Sequence, residues 1–157
     1  MKKTNAMRLL DAKKYKYEIA EYPVDEDDLS AVSAAAKTGQ DIRRIFKTLV
    51  LIGDKTGYLV ACIPGERELD LKTLAKVSGN KKVEMIPMKD LEKITGYIRG
   101  GCSPLGMKKL YPTYIDESSM EFPTILISGG KRGVQIELEP EKLGKMLNAD
   151  VISISFV

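Results

Sequence analysis

The rhythm of apolar and polar positions changes repeatedly along the chain, and each change predicts an element. Over residues 4–13, Met7 and Leu10, continued by Tyr15, form a helical stripe. Glu18 to Tyr22 alternates like a short strand and stops at Pro23, and Val24 to Asp28 is an acidic loop. Ser30 to Lys37 is alanine-rich and ends at Gly39, a residue suited to the left-handed turn that stops helices. Asp41 can cap a further turn through Arg43 and Arg44. Phe46–Ile52 and Tyr58–Ile63 are apolar runs flanking Gly53-Asp54-Lys55-Thr56-Gly57, the strongest hairpin signal in the chain. Leu69 to Val77 reads as a helix with Leu71, Leu74 and Ala75 on one face, ended by Gly79. Val83–Met88 predicts a strand, Asp90–Thr95 a short helix, and Tyr97–Arg99 another strand. Strands follow near 113–116, 124–128 and 134–138, a helix over Glu141–Leu147 and a closing strand over Val151–Phe156.

Helices separated by hairpins, without regular βαβ alternation, predict an α+β class: a mixed, mostly antiparallel curled sheet, barrel-like and flanked by helices. Repeats, low-complexity tracts and long linkers are absent, and 157 residues fit one domain with a real core, so residues 1–157 are expected to form a single unit. No apolar run approaches the roughly 20 residues that span a bilayer. The basic start Met1-Lys2-Lys3 is followed by Arg8, Asp11, Lys13 and Lys14, too charged for a signal-peptide core. A cytoplasmic location is the expectation.

Composition removes whole classes of chemistry. The chain contains no histidine and two cysteines, Cys62 and Cys102, far apart in sequence. Ser-His-Asp and Cys-His nucleophiles are excluded, and the usual four-ligand Cys/His zinc site cannot be assembled. Both thiols are expected to be free in a reducing compartment. The net charge of +3, from 25 basic and 22 acidic residues, does not by itself mark a nucleic-acid binder, and the basic pairs along the chain read as solvated surface charge before other evidence enters.

Within those limits a few residues stand out. Alternation from Phe46 places Lys47 on the same face as Leu49 and Leu51, so its ammonium either meets an apolar pocket or snorkels to water from the strand end. Gly100-Gly101 lets backbone approach a ligand closely, Pro104 fixes the turn after it, and freed amides there can donate to a phosphate or oxyanion. A plain tight turn explains the same residues. Gly101 and Gly106 have P-loop spacing, but Met107 occupies the lysine position, and Ser128-Gly129-Gly130-Lys131-Arg132-Gly133 lacks the dinucleotide fingerprint. Thr48 and Ser128 are hydroxyls at strand ends, better suited to orienting a substrate than to attacking one. Cys102 reads as a small passive side chain and Cys62 as core packing.

Taken in order, several segments resemble the YbaK/EbsC family, free-standing relatives of the editing domain inserted in bacterial prolyl-tRNA synthetase. They are Phe46-Lys47-Thr48-Leu49-Val50, Lys81-Lys82-Val83-Glu84-Met85, Thr95 through Gly106, and Ser128 through Gly133. The resemblance covers nearly the whole chain and is nearest to the Cys-tRNA(Pro) deacylases. It implies catalytic positions at Lys47 and Gly101, and substrate-binding positions at Tyr22, Thr48, Gly100, Pro104 and Ser128. Where relatives can place a phenylalanine before the alanine-rich helix, this chain has Leu29 or Ser30.

The implied activity is hydrolysis, in trans, of the ester in mischarged Cys-tRNA(Pro). It needs no metal and no cofactor, and the substrate's own thiol attacks its carbonyl while the protein supplies orientation and charge. The implied partners are the acceptor end of a mischarged tRNA and prolyl-tRNA synthetase, with no membrane. Two alternatives stay open at this point: deacylation of another mischarged tRNA such as Ala-tRNA(Pro), and a non-catalytic module that binds tRNA or the synthetase.

Overall fold

The computed structural model describes residues 2–157. Across these residues, ten strands and five α-helices form an α+β fold. Helix α1 (Asn5–Ala12) starts where Thr4 accepts from the Met7 amide, and it buries Ala6, Met7 and Leu10. Strand β1 (Glu18–Glu21) follows. Helix α2 (Ala31–Thr38) is capped by Ser30 and stopped by Gly39 at φ 71°, as the alanine run and the glycine suggest. Asp41 then caps a 3-10 turn over Ile42–Arg44.

The hairpin forms as predicted. Strands β2 (Phe46–Gly53) and β3 (Gly57–Pro64) pair in a register that sets Lys47 opposite Ile63 and Thr48 opposite Cys62. Asn80 pins its turn, with Oδ1 accepting from the Lys55 and Thr56 amides at 2.8 and 3.0 Å. The remaining elements are β4 (Glu68–Leu69), α3 (Leu71–Ser78), β5 (Val83–Met85) and α4 (Leu91–Thr95). After them come β6 (Thr113–Asp116), β7 (Ile125–Ser128), β8 (Val134–Leu138), α5 (Pro140–Leu147), β9 (Asp150–Ile152) and β10 (Ser155–Phe156).

Three sheets result among the described residues, ordered β5-β2-β3-β6-β9, β1-β8-β7 and β10-β4. The β3–β6 and β6–β9 pairings are parallel and the rest antiparallel. The sheets curl toward each other, with an isolated bridge between Ile45 and Leu126, but the ladders among these residues do not close into one barrel. Both faces of the five-stranded sheet are covered. Phe46, Val50, Val60 and Cys62 pack with the three-stranded sheet, α1 and α5, while Leu51, Leu59, Ala61 and Ile63 pack under Leu74 and Ala75 of α3.

Four local expectations are corrected. Tyr97–Arg99 is not a strand: its groups are satisfied locally, the Tyr97 amide donating to Thr95 Oγ1 and its phenol to the Leu105 carbonyl at 2.6 Å. The closing segment is two strands in different sheets, separated where the Ile154 amide donates to buried Asp116 Oδ1 at 3.0 Å. The helix expected from Leu69 begins at Leu71, because Leu69 pairs with Ser155 and Asp70 caps the helix, and Leu71 is exposed. The strand from Val83 ends at Met85, since Pro87 starts a 3-10 turn that includes Met88.

One polar cluster fixes β2 against the second sheet. The Arg44 guanidinium donates to the Thr124 carbonyl, to Thr124 Oγ1 and to Glu137 Oε2 at 3.1, 2.7 and 2.8 Å. Hydrogen bonding from Thr124 and then Arg44 holds the Glu137 carboxyl below its ordinary value, against the effect of burial. Arg44→Ala leaves Thr124 and Glu137 without their charged donor and is expected to cost about 2 kcal/mol, a drop of roughly 5 °C in melting midpoint for a chain of this size. A depressed carboxylate contributes stability above its unfolded value, and that contribution is lost as pH falls through the folded value. Melting between neutral pH and pH values below the Glu137 reference of 4.5 should therefore give a flatter acid limb for Glu137→Gln than for the parent; superimposable limbs would show that the cluster is not coupled to folding.

Candidate functional site

A cleft of about 460 Å³ opens where the start of β2, the end of β1, α2 and the two glycine loops converge. Lys47, Thr48, Tyr22, Gly100 and Ser128 all line it. Gly101 and Pro104 are buried outside the lining.

The helical wall comes close because of one glycine. A Cβ at Gly65 would lie 2.2 Å from Ala31 Cβ, so α2 can approach the end of β3 only over a bare backbone. On the opposite wall Gly100 adopts φ +84°, and Leu29 packs against it, 3.2 Å from where a side chain would begin. Gly101 performs a different task. A Cβ there would sit 2.9 Å from Lys131 Cα and 3.0 Å from Arg132 N, so it lets the two glycine loops touch. Its amide donates to the Ile98 carbonyl at 3.0 Å. The neighbouring Gly100 amide has no intramolecular partner among the described residues.

Lys47 is half-buried, and loss of solvation lowers its pKa from the usual lysine value, with Glu68 opposing at longer range. It forms no ion pair among the described residues. Beside it Thr48 Oγ1 is buried and without a hydrogen bond among those residues; across the ladder stands Cys62 Sγ, a weak partner at best. Ser128 Oγ accepts from the Gly130 amide at 3.2 Å, which leaves its proton to donate.

Sequence reasoning missed Gln135. It is 4% exposed, lines the cleft, and its Oε1 is unpartnered among the described residues. Between Val134 and Ile136 it stands at an alternating polar position, a pattern shared by solvent-facing and cavity-facing residues. That side of β8, the middle strand of its sheet, is the cleft floor, with Ser128 as cross-strand neighbour. Arg99, Asp27 and Asp28 also line the cleft and were not foreseen, because their loops carry no periodicity.

The cleft lining, all of it described residues, holds no activated nucleophile. Cys102 lines it, but burial pushes its thiol up to about 11, and Cys62 beneath is pushed up to about 12. Both stay protonated near neutrality, where a thiol attacks poorly. Among the described residues no three His, Cys, Asp or Glu side chains gather as a metal site, and no helix is long and apolar enough to cross a membrane. The cleft offers one desolvated cation, a bare amide and two unsatisfied oxygens. It can orient and polarise a polar substrate.

The α+β fold of this chain is shared with solved structures. The chain superposes on the crystal structure of a hypothetical protein with TM-score 0.88 at 20% identity, covering 98% of this chain and 100% of that one. It also superposes on a structure described as a provisional trans-editing enzyme for prolyl tRNA synthetase, with TM-score 0.83, 24% identity and 100% coverage of both chains. A model of the aminoacyl-tRNA editing domain matches residues 26–146, and the chain belongs to that family. An Enterococcus faecalis protein carrying the provisional name Cys-tRNA(Pro)/Cys-tRNA(Cys) deacylase EbsC is 56% identical over 153 residues, 98% of this chain and 93% of the relative.

A lysine with a lowered folded pKa costs stability while it is charged, and that cost is relieved as pH rises through the folded value toward the unfolded 10.5. Lys47→Met should therefore melt above the parent at neutral pH, and the gap should close as pH approaches the lysine range. A variant that melts below the parent at neutral pH would show that the ammonium is not held at a cost.

Proposed function

We propose that this chain, as one editing unit, hydrolyses mischarged Cys-tRNA(Pro) in trans, in the cytoplasm where tRNA is charged. The observation that carries the proposal is a cleft with a partly desolvated lysine and unsatisfied hydrogen-bonding atoms but no activated nucleophile among its lining residues. Such a site suits a substrate that brings its own. The 56% identity to a relative named for this activity points the same way.

In this reading the terminal adenosine and its aminoacyl ester enter the cleft beside the Leu29–Gly100 contact. Lys47 and the Gly100 amide face the ester, where negative charge grows on the carbonyl oxygen. Gln135 Oε1 accepts from the α-ammonium, and Thr48 and Ser128 fix the ester end. The cysteinyl sulfur forms a bond to the carbonyl carbon while the bond to the ribose oxygen breaks. The thiol proton passes to that leaving oxygen, freeing the tRNA 3′ end, and water then opens the resulting thiolactone to cysteine. Holding sulfur and carbonyl in contact supplies most of the acceleration. The ester is already activated, so each further tenfold requires only about 1.4 kcal/mol.

A panel of tRNA(Pro) charged with cysteine, serine or alanine tests this reading. Cysteine should be released at least 100-fold faster than serine or alanine, the losing substrates keeping similar affinity. Equal rates on serine and cysteine would overturn the thiol-assisted step, and no release of cysteine would overturn the deacylase reading.

A further inference from the structure

Both signs of charge border the cleft mouth, and the basic residues extend away from it. On the side of α2 the rim carries Glu26, Asp27 and Asp28, all exposed. On the other side Arg99 lines the cleft and is exposed, and Arg132 Nε donates to its carbonyl at 2.8 Å. From there basic residues continue across touching segments. The Lys131 backbone packs against Gly101, and Gly130 lies against Thr4, whose hydroxyl donates to the Gly129 carbonyl at 2.6 Å. This contact carries the surface to Lys2 and Arg8 at the start of α1. Asn5 in turn packs on Gly106, two residues before Lys108, whose stem covers Gly96. Lys2, Arg8, Arg99, Lys108 and Lys131 are exposed and make no ion pair among the described residues, while Arg132 reaches Glu26 only at 4.0 Å.

Some surface cations in this chain are paired, as Lys82 is with Glu84 and Arg43 with Asp41, and isolated lysines such as Lys55 on the hairpin turn are not, among the described residues; what sets this face apart is its continuity. A run of exposed cations continuous over four touching chain segments and beginning at the cleft matches a polyanion that leaves the cleft along it. We propose that this face, from Arg99 through Lys131 to Arg8 and Lys108, binds the phosphates of the tRNA acceptor stem, and so sets which way the RNA leaves the site. The inference rests on the deacylase reading for its partner. The face meets backbone phosphates and carries no base recognition, so it supplies affinity without tRNA identity.

The test is binding of an uncharged acceptor-stem minihelix across a salt series, which requires no hydrolysis. The variant combines Arg8→Glu, Lys108→Glu and Lys131→Glu, none of which lines the cleft. A second variant makes the same charge change at Lys55, Lys72 and Lys76, exposed lysines on the hairpin turn and α3. The first should bind at least tenfold more weakly, with a salt slope flatter by about two to three, near one for each phosphate left without its cation. The second should bind within about threefold of the parent. Hydrolysis of 2′(3′)-O-cysteinyl-adenosine, too short to reach the face, should be unchanged in the first variant, and Lys131→Glu alone serves if the triple change does not fold. Parent-like binding by the first variant, or equal weakening in both, overturns the assignment. If the parent binds as described but releases no cysteine, the surface stands and the deacylase reading falls.

Discussion

The structure is organised around a lysine ammonium held at the edge of water. Strand β2 runs between two apolar layers, with Phe46 and Val50 in one and Leu51 in the other. Lys47 sits in that strand at the point where the layers part, and no carboxylate among the described residues pairs with it. The hairpin register, the Arg44 cluster that joins the start of β2 to β7 and β8, and the bare Gly65 under α2 determine what surrounds it. Loosening any of these lets water in and returns the lysine to ordinary solvation. A partly desolvated charge interacts more strongly with a developing oxyanion than a solvated one does. The same desolvation that makes it useful makes it unfavourable for folding.

The elements with strong local signals were legible in the sequence. Ser30, Gly39 and the apolar runs around Gly53–Gly57 each act within a few residues, and each element formed where it was expected. Elements that depend on distant partners were not. Leu69 is extended because Ser155 lies beside it, and the last strand breaks because Asp116 takes the Ile154 amide. The cleft shows the same division. Lys47, Thr48, Gly100 and Ser128 were recognisable from motif and from strand ends, and they converge. Gln135 was invisible, because alternation says which side of a strand is polar but not whether that side faces solvent or a cavity. Gly101 was singled out for a close approach of backbone to a ligand, and in the structure its bare backbone makes room for the Lys131–Arg132 backbone.

The absence of histidine and the raised thiols of Cys62 and Cys102 have one consequence in common. Neither histidine general-base catalysis at neutral pH nor an enzyme thiolate is open to this cleft, so selectivity and rate must come from how the substrate is held. That division suits an editing reaction, in which the amino acid to be removed differs from the correct one by the group that destroys its own ester. A basic face beside the cleft would then orient the RNA without reading its sequence.

Lys47, in this reading, stabilises the reacting ester and does little for binding. Single-turnover release of cysteine from Cys-tRNA(Pro), measured at saturating protein for the parent and Lys47→Ala, tests that role most directly. The rate constant should fall by about 100-fold or more, comparable to loss of an oxyanion donor, with tRNA affinity within threefold of the parent. An unchanged rate constant, or a defect confined to affinity, would contradict it.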